Sequence, residues 1–135
     1  MIVVDSSAVV GIALREPDYR RLAQRIADES GATISVANYV ESGQVLAQRR
    51  LHAPEAALGE FHELLRRLNI SLAPVDEAQA RIALEARIRY GRGFGHPARL
   101  NYSDCFAYAL AKARNLPLLF VGDDFTHTDI VSALA

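Results

Sequence analysis

The chain alternates short apolar runs with longer amphipathic segments, and this alternation limits its possible folds more than any other feature. The apolar runs are as short as buried strands and rich in β-branched residues, whereas the segments between them repeat apolar residues every three or four positions, as helices do. Connections of this length indicate right-handed crossovers between parallel strands. We therefore predict a three-layer α/β/α fold with a mainly parallel central sheet.

The same patterns give the boundaries of the elements. Strands are predicted at 2–4, 32–36, 71–75 and 117–121. Helices are predicted at 6–16, 18–29, 37–51, 55–68, 76–90 and 103–115, and the tail from Thr126 is expected to form a short helix or an edge strand. Residues 91–99 contain three glycines and a proline, which predicts a loop. The 135 residues contain no repeat or linker, so we expect a single domain over 1–135.

The composition argues against several classes of protein. No run approaches the roughly 20 uncharged apolar residues of a membrane span, and the apolar N-terminus lacks a basic leader and contains Asp5. The single Cys105 cannot form an internal disulfide or a cysteine zinc cluster. We therefore expect a cytoplasmic protein with no membrane partner. The net charge of −1 provides no overall positive field, so any contact with nucleic acid must be local.

Five acidic residues are predicted to lie near the carboxyl edge of the sheet, where open parallel sheets bind ligands. They follow strands or open helices, and they are Asp5, Glu41, Asp104, Asp123 and Asp124. Each alone has an ordinary explanation as a helix cap, a solvated side chain or a turn residue. Together they would repel one another and are tolerated mainly when a cation neutralises them. Oxygen ligands without cysteine or paired histidine favour Mg²⁺ or Mn²⁺, which suits phosphodiester hydrolysis.

Motifs along the chain resemble those of VapC-type PIN-domain ribonucleases, the toxins of type II toxin–antitoxin systems. Asp5-Ser6-Ser7-Ala8 resembles the opening D-x-S-A, Glu41 resembles the glutamate after the second strand, and LNYSDC at 100–105 resembles L-N-[FY]-x-D-C. The segments FAYALAK, PLLF and GDDF extend the resemblance over nearly the whole chain. The resemblance implies a PIN fold, an Mg²⁺- or Mn²⁺-dependent endoribonuclease, a VapB-type antitoxin that inhibits it, and a homodimer.

The resemblance also implies roles for the acidic residues. Asp5, Glu41, Asp104 and Asp123 would be the catalytic acids, and Asp5 and Asp104 would contact the metal directly. Glu41 would act through a water molecule, either as a ligand or as a base. The GDDF segment is shorter than the commoner D-x-D-F arrangement, so either Asp123 or Asp124 can be the fourth acid, and we favour Asp123.

Four further residues are candidates for substrate binding. Ser7 is expected to hydrogen-bond a ligand carboxylate, although it can equally cap the first helix. Asn101 is expected to orient Asp104 or to meet a phosphate, unless it only begins the helix. Arg92 and Arg99 would contact RNA phosphates from the loop at 91–99, unless that loop is a surface loop with incidental charge.

Other readings of the acidic cluster fit less well. A phosphatase of the haloacid dehalogenase type would need D-x-D after the first strand, and a receiver domain would need a lysine near the last strand, whereas Lys112 lies on a predicted helix. A non-catalytic PIN-like module that binds RNA or protein is the remaining alternative. The helices at 18–29 and 37–51 could form a groove for an antitoxin segment, or they could simply pack on the sheet.

Overall fold

A four-stranded parallel sheet forms the centre of the computed structural model, which describes residues 1–134. The strands are β1 (Ile2–Val4), β2 (Ala32–Ser35), β3 (Ile70–Ala73) and β4 (Leu118–Leu119), and their order across the sheet is β3-β2-β1-β4. Each pair of neighbouring strands is parallel, so the chain crosses over after every strand. The predicted parallel α/β fold is confirmed.

The helices lie close to their predicted positions. They are α1 (Ser6–Ala13), α2 (Tyr19–Ala27), α3 (Val36–Gln48), α4 (Pro54–Arg67), α5 (Glu77–Tyr90) and α6 (Asp104–Arg114), followed by a short 3-10 helix (Asp124–His127). Within residues 1–134, no helix combines the length and apolar character needed to cross a membrane.

The largest differences from the predicted boundaries have local causes. Helix α1 stops before residue 16 because Arg15 adopts a left-handed backbone conformation, with φ at 53°. Strand β3 ends at Ala73 because Pro74 has no N–H group to donate to the ladder. Strand β4 covers only two of the five predicted residues, and Ser132 from the tail forms a single parallel bridge with Leu118.

The sheet separates two apolar clusters, which makes the fold three-layered. Successive side chains of a strand point to opposite faces. Val3 and Leu118 therefore join the cluster under α5 and α6. Ile2, Val4 and Leu119 join the opposite cluster, to which α1, α2, α3 and α4 contribute. All three residues of β1 are completely buried, so the chain that leaves the carboxyl end of this strand emerges from the middle of the core.

Candidate active site

Asp5 is a buried carboxylate at the centre of the sheet edge. It directly follows β1 and caps α1, because its Oδ2 accepts hydrogen bonds from the backbone N–H and the hydroxyl of Ser7, at 3.0 and 2.6 Å. The residue is only 3% exposed, and its Oδ1 is buried without a partner within residues 1–134. Burial raises the pKa of Asp5 to about 6 against the lowering effect of Ser7, and the charge of Glu41 adds to the rise. An unpartnered buried oxygen of this kind is costly unless a cation or a donor reaches it.

Ser7 connects this carboxylate to the neighbouring strand. While its hydroxyl donates to Asp5, it also accepts a hydrogen bond of 3.0 Å from the backbone N–H of Val121, just beyond β4. The backbone N–H of Asp5 donates to the carbonyl of Leu119 at 2.9 Å. The hydrogen bond expected between Ser7 and a site carboxylate is therefore present, whereas the residue that caps α1 is Asp5 and not Ser7.

Asp104 provides the second buried carboxylate and is the first residue of α6. Its Oδ2 accepts from the backbone N–H of Asn101 at 3.0 Å, and its own N–H donates to Oδ1 of Asn101 at 2.9 Å, so the two residues close the turn that leads into the helix, whose N-cap is Ser103. Burial is the main cause that raises the pKa of Asp104 to about 7. The charge of Asp5 is the second cause, and Asp124 and Glu41 raise the pKa further.

Glu41 reaches the same region from α3 through Ser103. The hydroxyl of Ser103 donates to Oε2 of Glu41 and also lies 2.9 Å from Oδ1 of Asn101. A hydroxyl has one proton, so Ser103 can donate to only one of these oxygens at a time. The side chains of Glu41, Asn101 and Asp104 thus form one connected group, although their elements are far apart in sequence.

Asn38 is a site residue that the sequence analysis missed. It is completely buried, and its Nδ2 donates to the carbonyl of Ser103 at 2.9 Å, which ties α3 to the start of α6. Its own carbonyl accepts from the hydroxyls of Ser42 and Ser6, at 2.7 and 3.2 Å, and Ser6 belongs to α1. A signal existed, because a polar residue one turn before Glu41 lies on the same face of the helix.

The two candidates for the fourth acid, Asp123 and Asp124, lie in the turn after β4. Asp124 begins the 3-10 helix, and its charge is among those that raise the pKa of Asp104, whereas Asp123 is not. The backbone carbonyl of Asp123 accepts hydrogen bonds from the N–H and the hydroxyl of Thr126, at 3.1 and 2.6 Å. Both aspartates are exposed. The electrostatics thus favour Asp124 over the predicted Asp123.

The donor set fits a divalent cation that keeps part of its water shell. No three side chains among His, Cys, Asp and Glu in the described part of the chain are arranged to hold a metal ion by themselves. Mg²⁺ is commonly held by one or two carboxylates and several waters, so a larger protein cage is not required. The free Oδ1 of Asp5 and the mutual repulsion of Asp5 and Asp104 both suit a positive charge bound there.

The predicted loop at 91–99 is present and follows α5. Arg92 and Arg99 are exposed on it, and neither hydrogen-bonds to a carboxylate of the site in the part of the chain that the structure describes. The loop leads through Leu100 to Asn101, the residue that hydrogen-bonds to Asp104. These two arginines are thus close in sequence to Asn101 and Asp104, but they take no part in the hydrogen bonds of the acidic site.

Comparisons with known proteins agree with this architecture. The model of the PIN domain family matches residues 2–131. Ribonuclease VapC28 of Mycobacterium tuberculosis is 41% identical over 133 residues, which cover 98% of each chain. The crystal structure of VapC20 of the same organism, described as a Sarcin-Ricin loop cleaving toxin, superposes with a TM-score of 0.72 at 17% identity over 97% of each chain. A toxin–antitoxin complex from Klebsiella pneumoniae gives a TM-score of 0.70 at 13% identity over 98% of each chain. The chain therefore belongs to the PIN domain family and, within it, to the VapC ribonucleases.

Proposed function

We propose that this chain is a metal-dependent endoribonuclease that acts as the toxin of a type II toxin–antitoxin pair. The observation that carries the proposal is the buried Oδ1 of Asp5, which lacks a partner among the described residues, together with an Asp104 whose pKa is raised partly by Asp5. Two such carboxylates are a site prepared for a cation and a phosphodiester. The name of VapC28, a ribonuclease with 41% identity over nearly the whole chain, supports RNA as the substrate.

We infer that Asp5 and Asp104 hold Mg²⁺ or Mn²⁺ and that the other residues position the reacting groups. Such an ion, when bound, activates water and stabilises charge on phosphodiester oxygens. Ser7 holds the rotamer of Asp5, and Asn101 holds that of Asp104. Glu41 is half-buried and extends from α3 into this region, where it would orient the attacking water and accept its proton. Asp124 replaces Asp123 as our choice for the fourth acid.

The test compares RNA cleavage by the wild-type protein and by Asp104→Asn, each purified free of antitoxin. We expect wild-type cleavage in Mg²⁺ or Mn²⁺, none in EDTA, and none by the variant, because asparagine keeps the shape of the side chain without its charge. Asp76→Asn is the matched control, since Asp76 is likewise an aspartate at the start of a helix but lies outside the site. Equal cleavage by wild type and Asp104→Asn would reveal a contaminant and remove support for the site. RNA binding without any cleavage would favour the non-catalytic module.

An apolar groove supports an antitoxin partner. The groove has a volume of about 880 Å³ and lies between the ends of α1 and α3 and the face of α4, with Ile12, Leu46 and Phe61 among its lining residues. Of the two predicted helices, α3 lines this groove and α2 does not. Arg15 and Arg49 on its rim form no salt bridge within residues 1–134, so an amphipathic segment with acidic flanks would fit.

The groove can be tested by blocking it. Ala56→Arg places a long charged side chain at an exposed position that lines the groove, whereas Ala80→Arg does the same on α5, away from it. We expect the first variant, and not the second, to lose capture by a co-expressed VapB-type antitoxin. Capture of both variants at the wild-type level would place the antitoxin on another surface.

A homodimer is also proposed from the family resemblance. Leu84 and Ile88 lie one turn apart on α5 and are 63% and 56% exposed, which supports a contact on this helix. Light scattering of the wild type and of Leu84→Glu would measure the change in mass. A wild-type protein that stays monomeric at high concentration would contradict the dimer.

A further inference from the structure

The loop at 91–99 stands on a rigid base. The backbone N–H of Leu100 donates to the carbonyl of Tyr90 at 2.9 Å, and that of Arg92 donates to the carbonyl of Leu100 at 2.8 Å. Nη1 of Arg87 adds hydrogen bonds to the carbonyls of Arg92 and Leu100, at 2.9 and 3.2 Å. A Cβ atom at Gly91 would lie 2.0 Å from the carbonyl oxygen of Arg87, so only glycine allows this close packing. The base of the loop is therefore fixed to α5.

The tip of the loop presents an aromatic ring. Phe94 is 56% exposed and lies between Gly93 and Gly95, whose φ angles of 95° and 80° are ones that residues with side chains rarely adopt. The guanidinium carbon of Arg87 lies over the ring, 5.7 Å from its centre. The ring is thus supported by a cation and remains largely open to solvent. Packing in the core does not explain this phenylalanine, because it belongs to neither apolar cluster.

The loop and its base carry positively charged side chains and no negatively charged ones. Residues 86–103 contain four arginines and no aspartate or glutamate, although the whole chain has a net charge of −1. Within the described residues, none of these arginines forms a salt bridge; they are Arg87, Arg89, Arg92 and Arg99. Arg92 and Arg99 are exposed and have no salt-bridge partner among the described residues, so they suit phosphate groups, whereas the guanidinium of Arg87 is occupied at the base of the loop.

We propose that this loop binds an unpaired base of the RNA substrate, with Phe94 stacking on the base and Arg92 and Arg99 contacting the flanking phosphates. The inference rests on the proposed ribonuclease function. RNA is recognised mainly through unstacked bases that stack on aromatic side chains, and the stacking tolerates different bases because each has a π-face. A protein segment with acidic and apolar residues could also meet a ring and arginines, but a single ring flanked by arginines matches the alternation of base and phosphates along an unpaired RNA strand. The combination of ring and arginines therefore favours RNA over a protein.

The proposal is tested by RNA binding to the Asp104→Asn protein, which binds without cleaving. The probe is a fluorescein-labelled RNA hairpin with an unpaired loop, and anisotropy measures its affinity. Adding Phe94→Ala is expected to weaken binding about tenfold or more, the loss typical of one stacked base. Phe94→Trp should keep the affinity, and Phe94→Leu should lose it as alanine does. Because the side chain is exposed, the melting temperature of these variants should not change.

Salt dependence separates stacking from charge. Arg99→Ala should reduce the slope of log affinity against log salt by about one, as expected for one lost phosphate contact. Phe94→Ala should lower the affinity and leave that slope unchanged. Replacing the nucleotides of the hairpin loop one at a time by abasic residues should identify one position at which Phe94→Ala causes no further loss. This outcome would establish a direct contact between the ring and that base.

Three outcomes would overturn all or part of the proposal. If the wild type cleaves RNA and Phe94→Ala binds and cleaves equally well, the loop inference fails while the ribonuclease function stands. If Phe94→Ala leaves RNA binding unchanged but alters the mass of the protein or its capture by antitoxin, the ring belongs to a protein interface and the inference also fails. If binding depends on Phe94 but the wild type never cleaves, the ribonuclease function fails and the loop serves an RNA-binding module.

Discussion

Replacing Asp104 by asparagine is expected to stabilise the metal-free protein, which is unusual for a residue at the start of a helix. The pKa of Asp104 rises from 3.8 to about 7, and each unit corresponds to about 1.36 kcal/mol. The stabilisation expected from Asp104→Asn therefore has an upper limit of about 4 kcal/mol, which is reached at pH values above 7. Water near the site and joint titration with Asp5 make the actual stabilisation smaller than this upper limit. Loss of the favourable interaction with the helix dipole subtracts about 0.5 kcal/mol more.

The direction in which stability changes with pH depends on whether the folded or the unfolded chain binds the proton of Asp104 more tightly. The pKa of Asp104 is higher in the folded chain than in the unfolded chain, so the folded state binds more protons between about pH 4 and pH 7. Raising the pH through this window therefore lowers the free energy of unfolding of the wild type. Asp104→Asn removes this contribution. The two proteins should have similar stability below pH 4 and differ most above pH 7.

Urea unfolding in EDTA at several pH values measures the difference. Asp76→Asn is the control, because Asp76 caps α5 from an exposed position and asparagine caps equally well. Adding Mg²⁺ or Mn²⁺ should stabilise the wild type, by about 2.7 kcal/mol at a concentration of 100 times Kd, and should have little effect on Asp104→Asn. If Asp104→Asn is less stable than the wild type at pH 8 in EDTA, Asp104 is a structural cap and the electrostatic argument is refuted.

Three further predictions concern the site and the loop. Asp124→Asn is expected to lower kcat for RNA cleavage about tenfold or more and Asp123→Asn to change it little; the reverse result would restore our sequence-based choice. Ser7→Ala removes the hydroxyl that holds the neighbouring carboxylate, so metal affinity in a titration should fall about 10- to 100-fold, and an unchanged affinity would contradict this role. Gly91→Ala should lower the free energy of unfolding by about 1–3 kcal/mol, whereas Gly59→Ala, with open space around it, should raise it slightly; equal effects would contradict the steric argument.

The acidic residues could be predicted because their positions depend on the order of elements and not on details of packing. Asp5 follows a strand that hydrophobic pattern alone identifies, and Asp104 opens a helix with clear periodicity. In a parallel α/β fold, both positions lie at the carboxyl edge of the sheet. The alternation of strands and helices predicted the fold. The topology of that fold then predicted which acids lie together at the carboxyl edge of the sheet.

Other parts of the site could not be predicted in this way. The contact between Asn38 and Ser103 joins residues 65 positions apart, and it depends on how closely α3 packs against the start of α6. The choice between Asp123 and Asp124 depends on the turn at Gly122, whose φ is 97°. Glycine permits this conformation without requiring it, so the sequence leaves the direction of the next two side chains undetermined. Tertiary packing and turn geometry supply this information.

Two helices extend from the acidic site to the apolar groove, so a shift of either helix on binding at one place would also move residues at the other. Helix α1 begins after Asp5 and ends at the groove, and α3 carries both Glu41, in its first half, and Leu46, which lines the groove. Their 8 and 13 residues correspond to about 12 and 20 Å. Suppose that a protein bound in the groove changes the affinity of the acidic site for a cation by some factor. The bound cation then changes the affinity of the groove for that protein by the same factor. If the antitoxin occupies the groove and the acidic site holds a divalent cation, the concentration of that cation would help to set how tightly the antitoxin binds.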